Sequence, residues 1–427
     1  MEHYSIVILL LGVMICLSAV ADAIRIPYPI LLILGGIAVG FIPSVPVVEL
    51  DPEVIFLIFL PPLLYDSAFN IRAEDFRTHF NTISTLAISL IFLTTTAIAA
   101  VAYFLIPGMT WPLAFVLGSI LSATDAVSAI SITKGLGLPH KMTTILEGES
   151  LINDASALVA YKYAVLAVGG SAFIFWRASL QFVAVMGGGV LIGMLAGRLL
   201  GVIINRVKNN NMVAISFMLL IPFVTYRIAE ELHVSGVLAV VVLGIAMARF
   251  STVIFPDHLR QQSKSFWDVI IFLLNGLIFI LIGLQLPYVI RALDMDLILP
   301  YVGYGLLITL VAFGVRLLRV FLQQINLARA FQSKRGRHRI SESALLDFKT
   351  CMVVSWSGMR GIVSLATAIG LPMLLEDGTA FPERSAIIFI SVVVVLMTIV
   401  GQGLSLPWLV RKLKIKKDEH AGHIAKT

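Results

Sequence analysis

Four acidic residues lie close together in a stretch of the sequence that is otherwise strongly apolar. They are Asp125, Glu147, Glu149 and Asp154, all between positions 123 and 165. An acidic side chain at the middle of a bilayer costs about 2.5–3.5 kcal/mol to insert, so acids that persist there usually face a cavity or a partner. The pattern predicts a water-accessible site inside a membrane-embedded scaffold.

The spacing of these polar residues predicts which of them share a helix face. Ser150 and Asp154 are four residues apart and lie on one face, while Asn153 is one step around the helix. Glu149 points elsewhere and needs its own partner. Arg360, in another apolar stretch, cannot lose its proton and requires an acid or an unpaired carbonyl. We therefore predict that Glu149 and Arg360 form a buried pair.

Carboxyl groups in a water-accessible site inside the membrane can exchange a proton for a cation. Loss of water disfavours the charged form of a carboxyl group, so a buried acid holds either a proton or a hard cation. Nearby hydroxyl and carbonyl oxygens complete the coordination of a small monovalent ion. Exchange follows if proton and cation compete for one site that opens to each side of a membrane in turn. This chemistry requires no cofactor.

The composition is typical of a polytopic membrane protein. Of the 427 residues, 59% are hydrophobic and 13% are charged, whereas soluble proteins carry about 25% charged residues. The net charge of +6 indicates basic loops rather than nucleic-acid binding. The two cysteines, Cys16 and Cys351, lie in apolar stretches and are interpreted as packing residues. No basic residue precedes the first apolar stretch, so we expect a retained span rather than a signal peptide.

The apolar stretches predict an all-α membrane protein with about thirteen spans. Loops after the odd-numbered spans carry Lys and Arg, whereas the alternate loops are rich in acids. By the positive-inside rule, the N-terminus lies outside and the C-terminus in the cytoplasm. The predicted span cores are 4–23, 28–43, 53–70, 81–106, 111–133, 142–169, 178–204, 212–230, 234–249, 266–288, 297–325, 346–375 and 384–410.

Two of these spans carry a charge among small polar residues, which can satisfy backbone groups where a membrane helix is interrupted. Interrupted helices at corresponding positions of two halves indicate a binding site between inverted repeats. We predict halves formed by spans one to six and eight to thirteen. The small residues are Ser122, Thr124, Ser128 and Ser131 around Asp125, and Ser355, Ser357, Gly358 and Gly361 around Arg360.

Two further patterns leave alternatives open. Pro61 and Pro62 predict a bend in span three, and Asp66 just beyond it is either a helix-end acid or part of the site. A stripe of small residues in span seven predicts either an internal helix contact or a dimer seam. The stripe consists of Gly189, Gly193, Gly197 and Gly201.

Three charged residues near span ends are interpreted as structural. Lys162 is expected to reach the membrane interface as a helix-end cation. Arg227 and Glu230, three residues apart on one helix, are expected to pair near the outer surface.

Four motifs together resemble the sodium/proton antiporters of the NhaP/NHE branch of the monovalent cation:proton antiporters. They are LPPLLYDSAF at 60–69, ATD at 123–125, EGESLINDA at 147–155 and GMRG at 358–361. The resemblance implies two crossing broken helices and exchange of Na⁺ or Li⁺ for H⁺ by alternating access, without enzymatic activity. It also implies a homodimer in a bacterial-type plasma membrane, with a role in pH and sodium homeostasis.

The resemblance further implies roles for individual residues. Asp154 would be the acid that is essential for binding the ion and the proton. Asp66 occupies a position where many family members have Glu. The presence of Asn rather than Asp at position 153 resembles the family members described as electroneutral. Asn153 would hold the broken helices together. The residues expected to bind the cation or proton are Asp154, Asp125, Ser150, Thr124 and Asp66, and those expected to support the site are Asn153, Glu149 and Arg360.

The resemblance also implies a division of the membrane domain, 1–410. A core bundle would be centred on 53–169 and 297–410, and a dimerisation part would include 1–43 and 178–249. The basic tail, 411–427, is short, so regulation by a soluble domain is not expected.

Three alternatives accompany this interpretation. The motif residues do not decide between Na⁺, Li⁺ and K⁺, so a K⁺/H⁺ antiporter is the nearest alternative. An intramembrane aspartyl protease is remote: Tyr65-Asp66 resembles half of such a site, but Ala123-Thr124 precedes Asp125 in place of Gly-x-Gly. A passive channel would not need a titratable Asp154.

Overall fold

The computed structural model describes residues 3–24, 28–42, 52–71, 73–126, 129–130, 133, 139–170, 175–332, 347–375 and 377–415. Nearly all of these residues are helical, which confirms the predicted all-α fold. Ser128, Ser131 and the tail beyond Ile415 lie outside the described residues. The helices are α1 (His3–Ile24), α2 (Tyr28–Gly40), α3 (Pro52–Asn70), α4 (Ala73–Leu105), α5 (Trp111–Ser122), α6 (His140–Val168), α7 (Phe175–Val207), α8 (Asn211–Glu231), α9 (Gly236–Ile254), α10 (Asp257–Arg291), α11 (Met295–Gln332), α12 (Phe348–Trp356), α13 (Ile362–Ile369), α14 (Arg384–Met397) and α15 (Gly403–Lys412), with a π-helical turn at Thr398–Gln402 between the last two.

Each predicted span corresponds to one helix or to one broken helix. Within the described residues, eight helical stretches are long and apolar enough to cross a membrane, and four shorter apolar helices accompany them. Span five ends as a helix at Ser122, and span twelve is divided into α12 and α13. Helix α3 continues through Pro61 and Pro62. The chain is therefore a multi-pass membrane protein.

The interior consists mainly of two apolar clusters. The larger one joins α1, α2, α4, α5, α10, α11, α13 and α14, and the second joins α7, α8 and α9 with part of α6 and α10. Helix α3 belongs to both, through Phe59 in the first cluster and Tyr65 in the second. The division into a core and a dimerisation part stays a prediction.

The glycine stripe of α7 is an internal helix contact. A Cβ atom added to Gly189 would lie 2.6 Å from the Ser235 carbonyl oxygen, and one added to Gly193 would lie 2.4 Å from that of Ala239. Both carbonyls belong to the start of α9. The alternative of a dimer seam along these glycines is wrong, because α9 of the same chain already covers them.

A second close contact joins α2 to α10. A Cβ atom on Gly36 would lie 2.3 Å from the Ile280 carbonyl oxygen, and one on Gly283 would lie 2.2 Å from that of Ile33. The two backbones therefore touch, with no room for a side chain between them. Gly276 of α10 packs in the same way on the Met14 side chain of α1. These contacts fix α10 against the first two helices.

Candidate functional site

The two broken helices cross at their breaks. After α5 the backbone is extended at Ala123 and helical again at Ala126, and the second break lies between α12 and α13. The Asp125 amide donates a hydrogen bond of 2.8 Å to the Met359 carbonyl oxygen, which ties one break to the other. The predicted interruptions are thus present, and they meet.

Arg360 lies at this crossing and binds carbonyl groups rather than Glu149. Its Nε donates to the Leu121 carbonyl oxygen at 2.9 Å, and its Nη1 donates to that of Gly358 at 2.5 Å. Leu121 belongs to the last turn of α5, where unpaired carbonyls carry partial negative charge. The predicted Glu149–Arg360 pair is wrong; the unpaired carbonyls satisfy the arginine instead.

Asp125 lies at the other ends of the broken helices. It precedes the renewed helix at Ala126, and its carboxylate lies over Gly361, the residue before α13. A Cβ atom on Gly361 would lie 1.9 Å from Asp125 Oδ2, so only glycine leaves room for the acid. Helix N-termini carry partial positive charge and favour an anion. The crossing therefore has an acid near its positive ends and an arginine near its negative ends.

The partner of Glu149 is Arg316, on α11. Its two terminal nitrogens donate to the two Glu149 carboxylate oxygens at 2.5 and 2.9 Å, and the side chains are 2% and 1% exposed. Its Nε donates to the Val354 carbonyl oxygen of α12 at 3.1 Å, and a Cβ on Gly358 would lie 2.3 Å from its Cδ. Arg316 was not predicted as a partner, although its position inside the apolar span 297–325 was the available signal.

Helix α6 holds the break in α5 through two side chains. The Ser150 hydroxyl donates to the Thr124 carbonyl oxygen at 2.7 Å, and the Asn153 amide nitrogen donates to Thr124 Oγ1 at 2.8 Å. The Ala126 amide donates to the Ser150 hydroxyl at 3.4 Å. The face of α6 that carries Asp154 is thereby fixed against Asp125.

A cavity of about 50 Å³ lies at this crossing. All five residues predicted to bind the cation or proton line it: Asp66, Thr124, Asp125, Ser150 and Asp154. The Asp154 Oδ1 atom is buried and has no hydrogen-bond partner among the described residues. The cavity has room for a few water molecules. Its carboxylate and hydroxyl oxygens are donors suited to a hard cation.

The cavity also has polar lining residues that the sequence analysis did not single out. Asn275 of α10, Ser67 of α3 and Ser364 of α13 contribute to its wall. Asn275 is an isolated amide in an apolar span, and no motif around it marks its position. Only the fold brings it beside the acids.

At the surface, the ion pairs near the end of α8 differ from those predicted. Lys162 of α6 pairs with Glu230 at 2.5 Å, and Arg227 pairs with Glu231 at 3.0 Å. The predicted Arg227–Glu230 pair is wrong, because Arg227 reaches one residue further along the helix. Glu230 instead connects α8 to the helix that carries Asp154.

Comparison with known proteins gives one consistent result. The family model described as "Sodium/hydrogen exchanger, transmembrane" matches residues 6–412. An uncharacterized Na⁺/H⁺ exchanger of Mycobacterium tuberculosis is 33% identical over 98% of this chain and 76% of its own length. A sodium, potassium, lithium and rubidium/H⁺ antiporter of Bacillus subtilis is 32% identical over 96% of this chain and 62% of its own. Among solved structures, the sodium proton antiporter MjNhaP1 of Methanocaldococcus jannaschii shares the fold, with a TM-score of 0.72 and 21% identity over 95% of this chain and 97% of that one.

Proposed function

The chain belongs to the sodium/hydrogen exchanger family, and on that premise we propose that it exchanges Na⁺ or Li⁺ for H⁺ across a membrane by alternating access. Members of this family are transporters, so the aspartyl protease alternative is excluded. One observation carries the proposal: two separate helices, α3 and α6, and the break after α5 place five oxygen-bearing side chains around one small cavity.

In this proposal, Asp154 holds either the proton or the cation. Its Oδ1 has no hydrogen-bond partner among the described residues, whereas both oxygens of the Glu149 carboxylate on the same helix accept hydrogen bonds from Arg316. Asp125, Thr124, Ser150 and Asp66 complete the cation's oxygen ligands. Asn153, Glu149 and Arg360 keep the broken helices in place. One site with one exchangeable charge gives an electroneutral exchange of one cation for one proton, suited to pH and sodium homeostasis.

The identity of the transported cation is a separate part of the proposal. K⁺/H⁺ exchange is the second candidate, and the breadth of ions in the name of the Bacillus subtilis relative favours it. Cavity size and ligand number decide between Na⁺, Li⁺ and K⁺, because each cation needs a different coordination distance. A transport assay with each cation added separately distinguishes the two proposals.

The charges of the loops support an orientation in the membrane, and the packing of α7 limits which surface a second copy could use. The basic residues after the odd-numbered spans support an outside N-terminus and a cytoplasmic C-terminus in a plasma membrane of bacterial type. We expect a homodimer. Because α9 covers the glycine side of α7, a second copy would use the outer row of exposed leucines, which comprises Leu191, Leu195 and Leu199.

The test is cation-driven proton movement in sealed vesicles with the membrane potential clamped. We expect Na⁺ or Li⁺ to dissipate a pH gradient in the wild type, and Asp154→Asn to abolish the response while the protein still folds. The matched control is Asp296→Asn, which removes an exposed acid at the start of α11 and leaves transport unchanged. Transport by Asp154→Asn at the wild-type rate would overturn the proposal, and a response to K⁺ alone would favour the second candidate.

A further inference from the structure

Asn275 is a buried polar residue whose oxygen has no partner. Its side chain is 3% exposed, it lines the cavity, and its Oδ1 makes no hydrogen bond with any described residue. The side chain is hydrogen-bonded to Tyr28 of α2, so the amide nitrogen is the group that faces the tyrosine. An amide oxygen that is buried without a partner destabilises the protein, and a ligand in the cavity would offset that cost.

The position of Asn275 differs from that of the acids in one respect. Asp125 and Asp154 belong to the crossing and to α6, whereas Asn275 comes from α10. That helix packs on α2 through the backbone contacts of Gly36 and Gly283, and on the Met14 side chain of α1 through Gly276. A cation that binds both Asn275 and the acids would therefore link α10 to the crossing and to α6.

We propose that Asn275 is a further ligand of the transported cation, binding it through Oδ1 together with Asp154. This inference rests on the proposed function, since it requires a cation in the cavity. Oxygen ligands set cation preference by their number and spacing, so Asn275 also contributes to the choice between Na⁺, Li⁺ and K⁺.

The experiment measures the cation concentration that gives half-maximal proton movement, the apparent KM, in vesicles. Asn275→Leu removes the oxygen at similar volume, and we expect the apparent KM for Na⁺ to rise about tenfold, equivalent to about 1.4 kcal/mol. The maximal rate should stay near that of the wild type, and the order of Na⁺, Li⁺ and K⁺ should change. Ile271→Leu is the matched control: it alters the same helix face and the same cavity wall without changing any oxygen.

Asn275→Asp provides a second variant that keeps an oxygen in place. We expect its apparent KM to be at or below that of the wild type, because the added charge attracts the cation. Na⁺ should also raise the melting temperature of the wild type and of Ile271→Leu, but not that of Asn275→Leu. A lower maximal rate with unchanged KM and ion order in both Asn275 variants would overturn the inference.

The two proposals fail in different ways. If the wild type moves no protons in response to any cation, the proposed function is wrong. If the wild type is active and Asp154→Asn is inactive, yet Asn275→Leu behaves like Ile271→Leu, only the inference about Asn275 is wrong.

Discussion

Glu149 and Asp154 lie on the same helix, little more than one turn apart, and have opposite surroundings. Glu149 is almost completely buried and receives two hydrogen bonds from Arg316. Asp154 lines a cavity, and its Oδ1 has no hydrogen-bond partner among the described residues. A buried acid whose oxygens are bound by a fixed arginine holds helices together. A buried acid without one can take up and release an ion from outside.

The largest effect is expected when the paired acid is made to resemble the unpaired one. Arg316→Met leaves Glu149 buried without a cation, and breaking such a pair costs about 3–5 kcal/mol. We expect a large loss of folded protein, measured as thermal unfolding and as recovery of monodisperse protein in detergent. The double variant Arg316→Met with Glu149→Gln removes both charges and should regain much of the stability. A single variant as stable as the wild type would show that the pair is not structural.

A smaller effect is expected when the unpaired side of the comparison is disturbed. Gly361→Ala places a methyl group 1.9 Å from Asp125 Oδ2, and overpacking of this kind costs about 1–3 kcal/mol. We expect cation-driven proton movement to fall at least tenfold, with the protein still folded, because the displaced carboxylate changes the cavity. Gly314→Ala on α11 is the control, since a Cβ there meets nothing within 4 Å. Equal activity of the two variants would contradict the crowding at Gly361.

The smallest effect is expected from Lys162, a surface charge of α6. Lys162 and Glu230 pair at the surface, with side chains 47% and 27% exposed, and surface ion pairs contribute about 0–1 kcal/mol. Lys162→Met should therefore change stability by less than about 1 kcal/mol, and transport by less than about threefold. Glu230 keeps its second contact, in which it accepts a hydrogen bond from the Gly236 amide. Arg227→Met, which breaks the neighbouring exposed pair, provides the comparison; a much larger effect of Lys162→Met would assign the Lys162–Glu230 pair a role in transport.

The sequence predicted the helices and their interruptions well, for a local physical reason. Helix limits depend on the length of each apolar stretch, and the breaks depend on small polar residues that lie next to one charge, as around Asp125 and Arg360. Asp125 and Asp154 were also predictable as candidate site residues, because an acid in a membrane span is costly wherever it is placed, whereas Asp66 was left open between a helix end and the site. Each of these signals lies within a few residues along the chain.

The partners were not predictable in the same way. Several predicted spans contain an arginine that could pair with Glu149, and only the fold shows that Arg316 is the partner while Arg360 binds carbonyl groups. The glycine stripe of α7 has the same pattern for an internal contact as for a dimer seam, so its partner, α9, emerges only in three dimensions. Asn275 carries no motif at all, and its contribution depends on how α10 packs against the crossing.

The separation of Glu149 and Arg316 has a consequence for how the protein is made. The two residues are 167 positions apart, so at about 5–20 residues per second Glu149 is synthesised roughly 10–30 seconds before its partner. During that interval α6 is in or near the membrane with an unpaired acid. Glu149 must therefore be accommodated without Arg316 until α11 follows. The Glu149–Arg316 pair, which joins α6 to α11, therefore forms late in biogenesis.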